Sequence, residues 1–598
     1  MPGQPPKITP IQVLYRAFPG AVRFVAQQMT RVNSIVSTRG DREDRLGELV
    51  RRALTRRIRA ELNRRQVHDA QRQARRAARP QPRAGGPAPA EGTQPGPDLP
   101  EVVMPGGFDV QPRGAAEEPV EEDGPQRTAV TERDIGLIEV DDDATVRTRV
   151  FPRSAHCRRC DHFLLLDPGQ VPASLLCPCC HRAELRVEPI VFICGRCADI
   201  RELVPPLGRQ GNYRRSGKVE QALGAPTVCP DCHKGHIHLD KHGTNDVARW
   251  EWRCTNCTSY RVTLQELCMR CVLPRTDVLP AGVIFMQAIP ATASNALQPL
   301  VLHLMAVADA EVDIPALTRV AEGERRRGWA DAFDLAVRDR VQGDLIDADF
   351  DLLDQASVKR AFLVRDVWAV TAIYGYKAGS PATHPQSPVQ AQDRLAVLFN
   401  DPEGFTRFRA FSHSIRSSAL VIQFDPRQIV DRLARFDPAL QGQPLAEVIA
   451  REAPEIAHTE VRDLLTADGN RLIAYRALHA LEHAVLLSAM RQLGTDAIGT
   501  RLFPSEGAVV VYEKAAVGRG GVVQLVNRGP GLVQLISAAR DLVLGCAQGC
   551  IDGCPSCAYA RDQHCGHPLE ELGADWLPSN ALLSRRGAAA ILSGEAVD

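Results

Sequence analysis

Cysteine placement constrains this chain more than any other feature. Of its 18 cysteines, 13 fall between Cys157 and Cys271, five between Cys546 and Cys565, and none elsewhere. Twelve of the first 13 form six C-x2-C pairs: Cys157/Cys160, Cys177/Cys180, Cys194/Cys197, Cys229/Cys232, Cys254/Cys257 and Cys268/Cys271. Two residues between cysteines let a tight turn aim both thiolates at one ion, and two such turns complete a tetrahedral site. The opening residues, MPGQPPKITPIQ, carry no export-signal pattern, so the chain is expected in the cytoplasm, where paired thiols serve metal rather than disulfides. Six pairs imply three zinc sites of four thiolates. Such closed sites leave no position for water and hold structure rather than perform chemistry.

Sixteen residues separate Cys160 from Cys177, the spacing of two facing hairpin turns, so the first site takes Cys157, Cys160, Cys177 and Cys180 and leaves Cys179 spare. The remaining four pairs can be matched in three ways. Nesting is favoured, with Cys229/Cys232 facing Cys254/Cys257 inside an outer site from Cys194/Cys197 and Cys268/Cys271. His233, His236, His238 and His242 crowd the inner pairs, and one of them replacing a thiolate stays an open alternative. In the second cluster Cys546 and Cys550, four apart, can share one face at the end of a helix, and the GCPSC turn adds Cys554 and Cys557. That makes a fourth site and about four Zn2+ per chain, with Cys565 a competing ligand.

The rest of the chain reads as a multidomain α+β protein. Residues 1–79 are expected to be a helical, Arg-rich segment: Leu46, Val50, Leu54, Ile58 and Leu62 form an apolar stripe, and Arg51, Arg52, Arg56, Arg57, Arg59, Arg64 and Arg65 line the other faces. Residues 80–130, rich in Pro, Gly and Glu, bury too little apolar surface to order and are expected to be a disordered linker. A zinc-ribbon region follows over 131–275, then a mixed α/β middle domain over 276–400, then 401–598, where strands such as SALVIQF and GAVVVYE alternate with helices. Basic and acidic residues balance at 72 each, so no overall charge draws the chain to nucleic acid or membrane. No uninterrupted apolar stretch of membrane length occurs.

Within RALHALEHAVLLSAM, His479, Glu482 and His483 spell H-x-x-E-H, the inverted zinc-protease signature. A helix there places both imidazoles on one face, where they serve as metal ligands beside a base or pack between helices. No acidic third ligand stands out, and the packing role is favoured. The chain has no G-x-x-x-x-G-K-[ST] phosphate loop, and VGRGGVV after Tyr512 reads as a turn. Nothing in the residues supports catalysis.

The C-terminal third resembles the zinc-binding domain at the end of MrfA-type repair helicases and in DrmB-like subunits of the DISARM anti-phage system. The resemblance rests on LHALEHAVLL, GAVVVYEKAAVGRGGVV, GCPSC, Cys565 and LLSRRGAAAIL. Upstream, FLVRDVWAVTAIYGYKAG, FPRSAHCRRC and PIVFICGRC are similar to the corresponding DrmB segments, with Asp366 where Glu is expected. The likeness runs over roughly residues 145–598. It implies a noncatalytic subunit that helps a separate SF2-type helicase, DrmA-like, engage DNA alongside other defence-operon proteins. The competing expectations are a metallopeptidase built on His479, Glu482 and His483 and a zinc-ribbon transcription-type factor.

Overall fold

The computed structural model describes residues 10, 13–14, 17–19, 21–25, 28–36, 42–77, 130–141, 143–167, 175–182, 184–188, 190–205, 228–229, 231–243, 249–264, 266–268, 285–290, 297–307, 310–326, 347–378, 395–401, 406–458, 472–495, 497–514, 521–527, 531–545 and 582–594. Two compact units emerge, one of Met1–Ile58 with Thr131–Asp598, the other Arg59–Val130. In the second, Glu61 is buried and pairs with Arg64 one helical turn away at 3.2 Å. The linker expected over 80–130 lies outside the described residues, apart from Val130.

The first unit opens with strands β1 (Val22–Val25) and β2 (Gln28–Val36), so the segment 1–79 is not helical throughout. A bulge between Val32 and Ser34 turns Val32 and Ile35, three apart, both inward, which conceals the strand from an alternation test. Helix α1 (Arg45–Ala77) follows, with the Asp44 carboxylate accepting from the Gly47 N–H at 2.8 Å as its cap. Leu46, Val50, Leu54 and Ile58 are buried, while Arg52 and Arg56 make exposed ion pairs with Glu132 and Glu311. The helix thus docks its apolar stripe on the body.

Short strands then carry the cysteines. Strand β3 (Ile135–Glu139) joins a larger sheet described below, and β4 (Thr145–Val150) completes the sheet β1-β2-β4. Strands β5 (Ser154–Cys157), β6 (Phe163–Leu165) and β7 (Leu185–Val187) form a first lobe, ordered β6-β5-β7. After β8 (Ile190–Ile193) and β9 (Ile200–Glu202), strands β10 (Ile237–Asp240), β11 (Glu251–Cys254) and β12 (Arg261–Thr263) form a second lobe. Strands β13 (Glu266–Leu267) and β14 (Phe285–Pro290) return to β8 and β9 in a sheet ordered β13-β14-β8-β9, so the boundary expected at 275 runs through a sheet.

The largest sheet has eight strands among the described residues: β15 (Leu297–Val307), β16 (Ala310–Glu311), β17 (Val358–Ala378), β18 (Val397–Leu398), β19 (Phe408–Phe424), β20 (Ile498–Phe503), β21 (Ala508–Glu513) and the early β3. Its order is β16-β15-β17-β19-β21-β20, with β18 on β17 and β3 parallel to β19. Pairing of β17 with β19 runs from Val358 opposite Phe424 to Ile373 opposite Phe411, so residues 276–400 and 401–598 build one sheet, not two domains.

Alternate residues of these strands face opposite cores. Leu363, Leu420, Ile422, Val509 and Val511 meet α3 (Asp347–Gln355), α4 (Pro426–Leu433), α5 (Leu445–His458), α6 (Ile473–Leu493), α7 (Gly521–Asn527), α8 (Gly531–Leu544) and α9 (Arg585–Ser593). Phe362, Val364, Val421 and Val510 face α2 (Ile314–Arg326). Helix α7 begins inside the stretch read as a glycine turn. None of the described helices is long and apolar enough to cross a membrane.

Candidate metal centres

In the first lobe Cys157, Cys160, Cys177 and Cys180 come together with all four sulfurs within 4.8 Å of one another, and Cys157–Cys180 and Cys160–Cys177 at 3.6 Å. The second lobe does the same with Cys229, Cys232, Cys254 and Cys257, at 3.7 Å for Cys229–Cys257 and 3.6 Å for Cys232–Cys254. A disulfide needs sulfurs ~2.05 Å apart. A tetrahedral ion with ~2.3 Å bonds to sulfur spreads its ligands to ~3.8 Å, close to the spacing in both cages. A third group joins Cys194 and Cys197, from the turn between β8 and β9, to Cys268 after β13, with Cys197–Cys268 at 3.3 Å. Cys271, the fourth ligand expected there, lies outside the described residues, as do Cys546, Cys550, Cys554, Cys557 and Cys565.

Four of the pairs share one backbone device. The residue after the second cysteine is left-handed: Asp161 (φ 53°), His181 (52°), Ala198 (55°) and His233 (54°). Its N–H returns to the carbonyl of the first cysteine, Cys157, Cys177, Cys194 or Cys229, at 3.0, 2.8, 3.0 and 2.9 Å. The turn exposes backbone N–H groups to sulfur, as from Arg159 to Cys157 (3.3 Å) and Cys179 to Cys177 (3.4 Å). Such donors stabilise thiolate. The Arg182 N–H brings Cys180 down to about 7, and the Gly235 and Lys234 N–H groups bring Cys232 down to about 6. Burial pushes Cys160 and Cys177 upward and Cys229 up to about 12. Each cage therefore needs a bound cation to hold four thiolates at neutral pH.

The second cage and the group of Cys194, Cys197 and Cys268 share an apolar floor. Phe163, Phe192, Trp252 and Tyr260 pack with Cys194, Cys229, Cys254 and Cys268, and Phe163 meets Trp252 edge-to-face at 4.6 Å. Polar links cross between the lobes: Lys241 reaches buried Glu188 at 3.0 Å, and His236 Nε2 donates to the Cys160 carbonyl at 2.9 Å. Burial opposes charge on Glu188, but His156 and Lys241 outweigh it and hold the carboxyl below its usual range. The histidines considered as substitute ligands do not enter the second cage, since His236 bonds across the lobes and His242 pairs with Glu251 at 2.6 Å.

His479, Glu482 and His483 lie on α6 with no exposed surface. His479 Nδ1 donates to the Leu582 carbonyl at 2.8 Å, Glu482 accepts from the Thr500 hydroxyl at 2.9 Å, and the two imidazoles meet edge-to-face at 4.5 Å. They form no metal group with a third ligand among the described residues. They tie α6 to the chain before α9 and to β20.

Two further groups escaped the sequence reading: His162, Cys179 and His236, and Asp240, His242 and Glu251. The first unites residues 162, 179 and 236, far apart in the chain, and nothing in their spacing signals it; the second forms where β10 pairs with β11, Asp240 opposite Glu251. In the second group Arg253 lies 3.1 Å from Asp240 and 2.5 Å from Glu251, and Arg261 lies 2.5 Å from Glu251. Burial disfavours the Glu251 charge, but hydrogen bonds from Arg261, Arg253 and His242 prevail and lower the carboxyl to about 2. Guanidinium groups already occupy the place of a cation.

Residues 98–293 match a family model described as a domain of unknown function (DUF8724). The match takes in all six C-x2-C pairs and both lobes, and stops before β15. No curated protein matches the chain.

Proposed function

We propose that this chain is a noncatalytic, zinc-structured accessory subunit that grips the backbone of DNA for a separate SF2-type helicase. The helicase is of the DrmA kind, and the assembly is a DISARM-like bacterial defence complex, as the resemblance to DrmB-like subunits implies. Zn2+ suits cages of four thiolates because it accepts soft sulfur ligands and has no geometric demand beyond the tetrahedron. Closed cages leave no reactive position, so the ions set shape.

The observation that carries the reading is the charge on the cage turns. Arg158 and Arg159 between the first two cysteines, Arg182 beyond Cys180 and Lys234 beyond Cys232 are all exposed. None of their side chains pairs with another described residue. Rigid turns that present unpaired cations suit phosphate contacts, which position a protein on a duplex without reading its sequence. The test is fluorescence anisotropy on duplex DNA across a salt series with the full chain and its Arg158→Ala/Arg159→Ala/Arg182→Ala/Lys234→Ala variant. The variant is expected to bind at least ~10-fold more weakly at low salt, with a shallower salt dependence by up to ~3 charges. Equal affinity and slope would remove DNA from the reading, and failure to co-purify with a helicase from the same operon would remove the motor.

A further inference from the structure

We propose that His162, Cys179 and His236 form an additional, exchangeable site for a divalent first-row transition ion, distinct in kind from the four-thiolate cages. His162 stands two residues beyond Cys160, Cys179 is the cysteine that the first cage leaves over, and His236 comes from the second lobe next to Gly235. Their ligand atoms lie within 4.8 Å of one another.

Three observations point to a ligand. His162 is only 5% exposed, and its Nδ1 is buried without a hydrogen-bond partner. A buried polar nitrogen left empty is costly, and a metal would satisfy it. The Cys160 carbonyl, which can only accept, faces His236 Nε2 at 2.9 Å and so fixes the proton there, leaving Nδ1 with its lone pair. Metal-binding histidines are oriented by this kind of outer hydrogen bond. Thr255 Oγ1 is 3.4 Å from that Nδ1, a weak competitor. The imidazoles of His162 and His236 already meet edge-to-face at 5.2 Å. Unlike the group around Glu251, no described cation side chain pairs with these three.

One thiolate and two imidazoles suit Zn2+ or Co2+. Three protein ligands leave a fourth position, and exposed Cys179 opens it to solvent. The ion therefore exchanges and can take a ligand from solution, which the closed cages cannot. It also joins two ligands of the first lobe to one of the second, clamping the seam that Lys241 and Glu188 span.

The experiment uses the full chain. A mild chelator strips loosely held ions while the four-thiolate cages stay loaded, buffered Zn2+ is returned, and alkylation of Cys179 is followed by peptide mass spectrometry. Micromolar free Zn2+ is expected to slow Cys179 alkylation at least ~10-fold, because a metal-bound thiolate is a poor nucleophile. His236→Ala and His162→Gln are each expected to abolish that protection. Cys179→Ser, at an exposed position, is expected to bind one Zn2+ fewer with the cage cysteines still protected. Equal alkylation of Cys179 with and without Zn2+, protection surviving both histidine substitutions, or an unchanged Zn2+ count in Cys179→Ser would each overturn the site.

Discussion

His181 follows Cys180 with φ 52° and an exposed side chain, so it bears the cost of left-handed backbone without packing in return. His181→Gly is expected to stabilise the metal-loaded chain by ~1 kcal/mol, read as a higher denaturation midpoint. An unchanged or lower midpoint would mean that the imidazole itself supports the turn. Gly235 has the opposite role. A Cβ there would collide with Cys254 Sγ and lie 2.8 Å from the Asn256 amide nitrogen. Gly235→Ala is therefore expected to spread the second cage and weaken its hold on metal at least ~10-fold, measured as release to a chromophoric chelator. Wild-type release would show that the cage can give way around a methyl group. The C-x2-C spacing makes the cysteines of both cages legible in the sequence, because spacing alone dictates how a turn aims two thiols. The left-handed turns were not legible, since Asp161, His181, Ala198 and His233 stand where glycine would have signalled them.

Helix α6 starts without a cap of its own. Leu472 precedes it with φ 58° and makes no side-chain bond to the first turn. Glu452, on α5, supplies the acceptors instead, at 3.3 Å to the Ala474 N–H and 2.8 Å to the Tyr475 N–H. Burial raises its carboxyl to about 7 although the two N–H groups pull the other way. The folded state thus holds this proton more tightly than the unfolded chain does. The resulting stability is complete below the unfolded value near 4.5 and is lost as pH rises through about 7. Wild type is expected to lose ~2 kcal/mol between pH 5.5 and 8.5 from this site. Glu452→Gln keeps an acceptor for the N–H groups and removes the loss; denaturant midpoints at the two pH values check it, and parallel pH profiles would assign the carboxyl an ordinary affinity for its proton. Periodic Leu478, Leu481, Val485 and Leu486 made α6 legible as a helix. Burial of its remaining faces, His479, Glu482 and His483 included, depends on α8 and α9, which follow it in sequence and carry no local sign of where they pack. For the same reason a boundary placed at 400 fell between β17 and β19, whose pairing is visible only in three dimensions.

At the scale of the whole molecule, the cysteine lobes and the eight-stranded sheet are held by different forces. Among the described residues, 154–268 contain short strands and turns but no helix, and their cores mix cysteines with aromatic rings and a few aliphatic side chains. Strands this short bury little, so metal held in the cages, at ~10 kcal/mol or more per structural site, would provide much of their folding energy. The sheet has its own extensive core around α6, built from Leu420, Ile422, Val509 and Val511 and seven helices. The two regions touch through Val191, Ile193 and Ile200 against Ile373, Tyr376 and Phe411. Stripping the metal with a strong chelator and a mercurial at neutral pH is therefore expected to unfold the lobes and leave the sheet and its helices standing. Two of the five tryptophans, Trp250 and Trp252, are buried in the second lobe, so their fluorescence should shift to the red. The 222 nm ellipticity should persist, because the helices belong to the other core. Loss of both signals together would mean that the contact through Ile193 and Tyr376 couples the cages to the sheet strongly enough to make one cooperative unit.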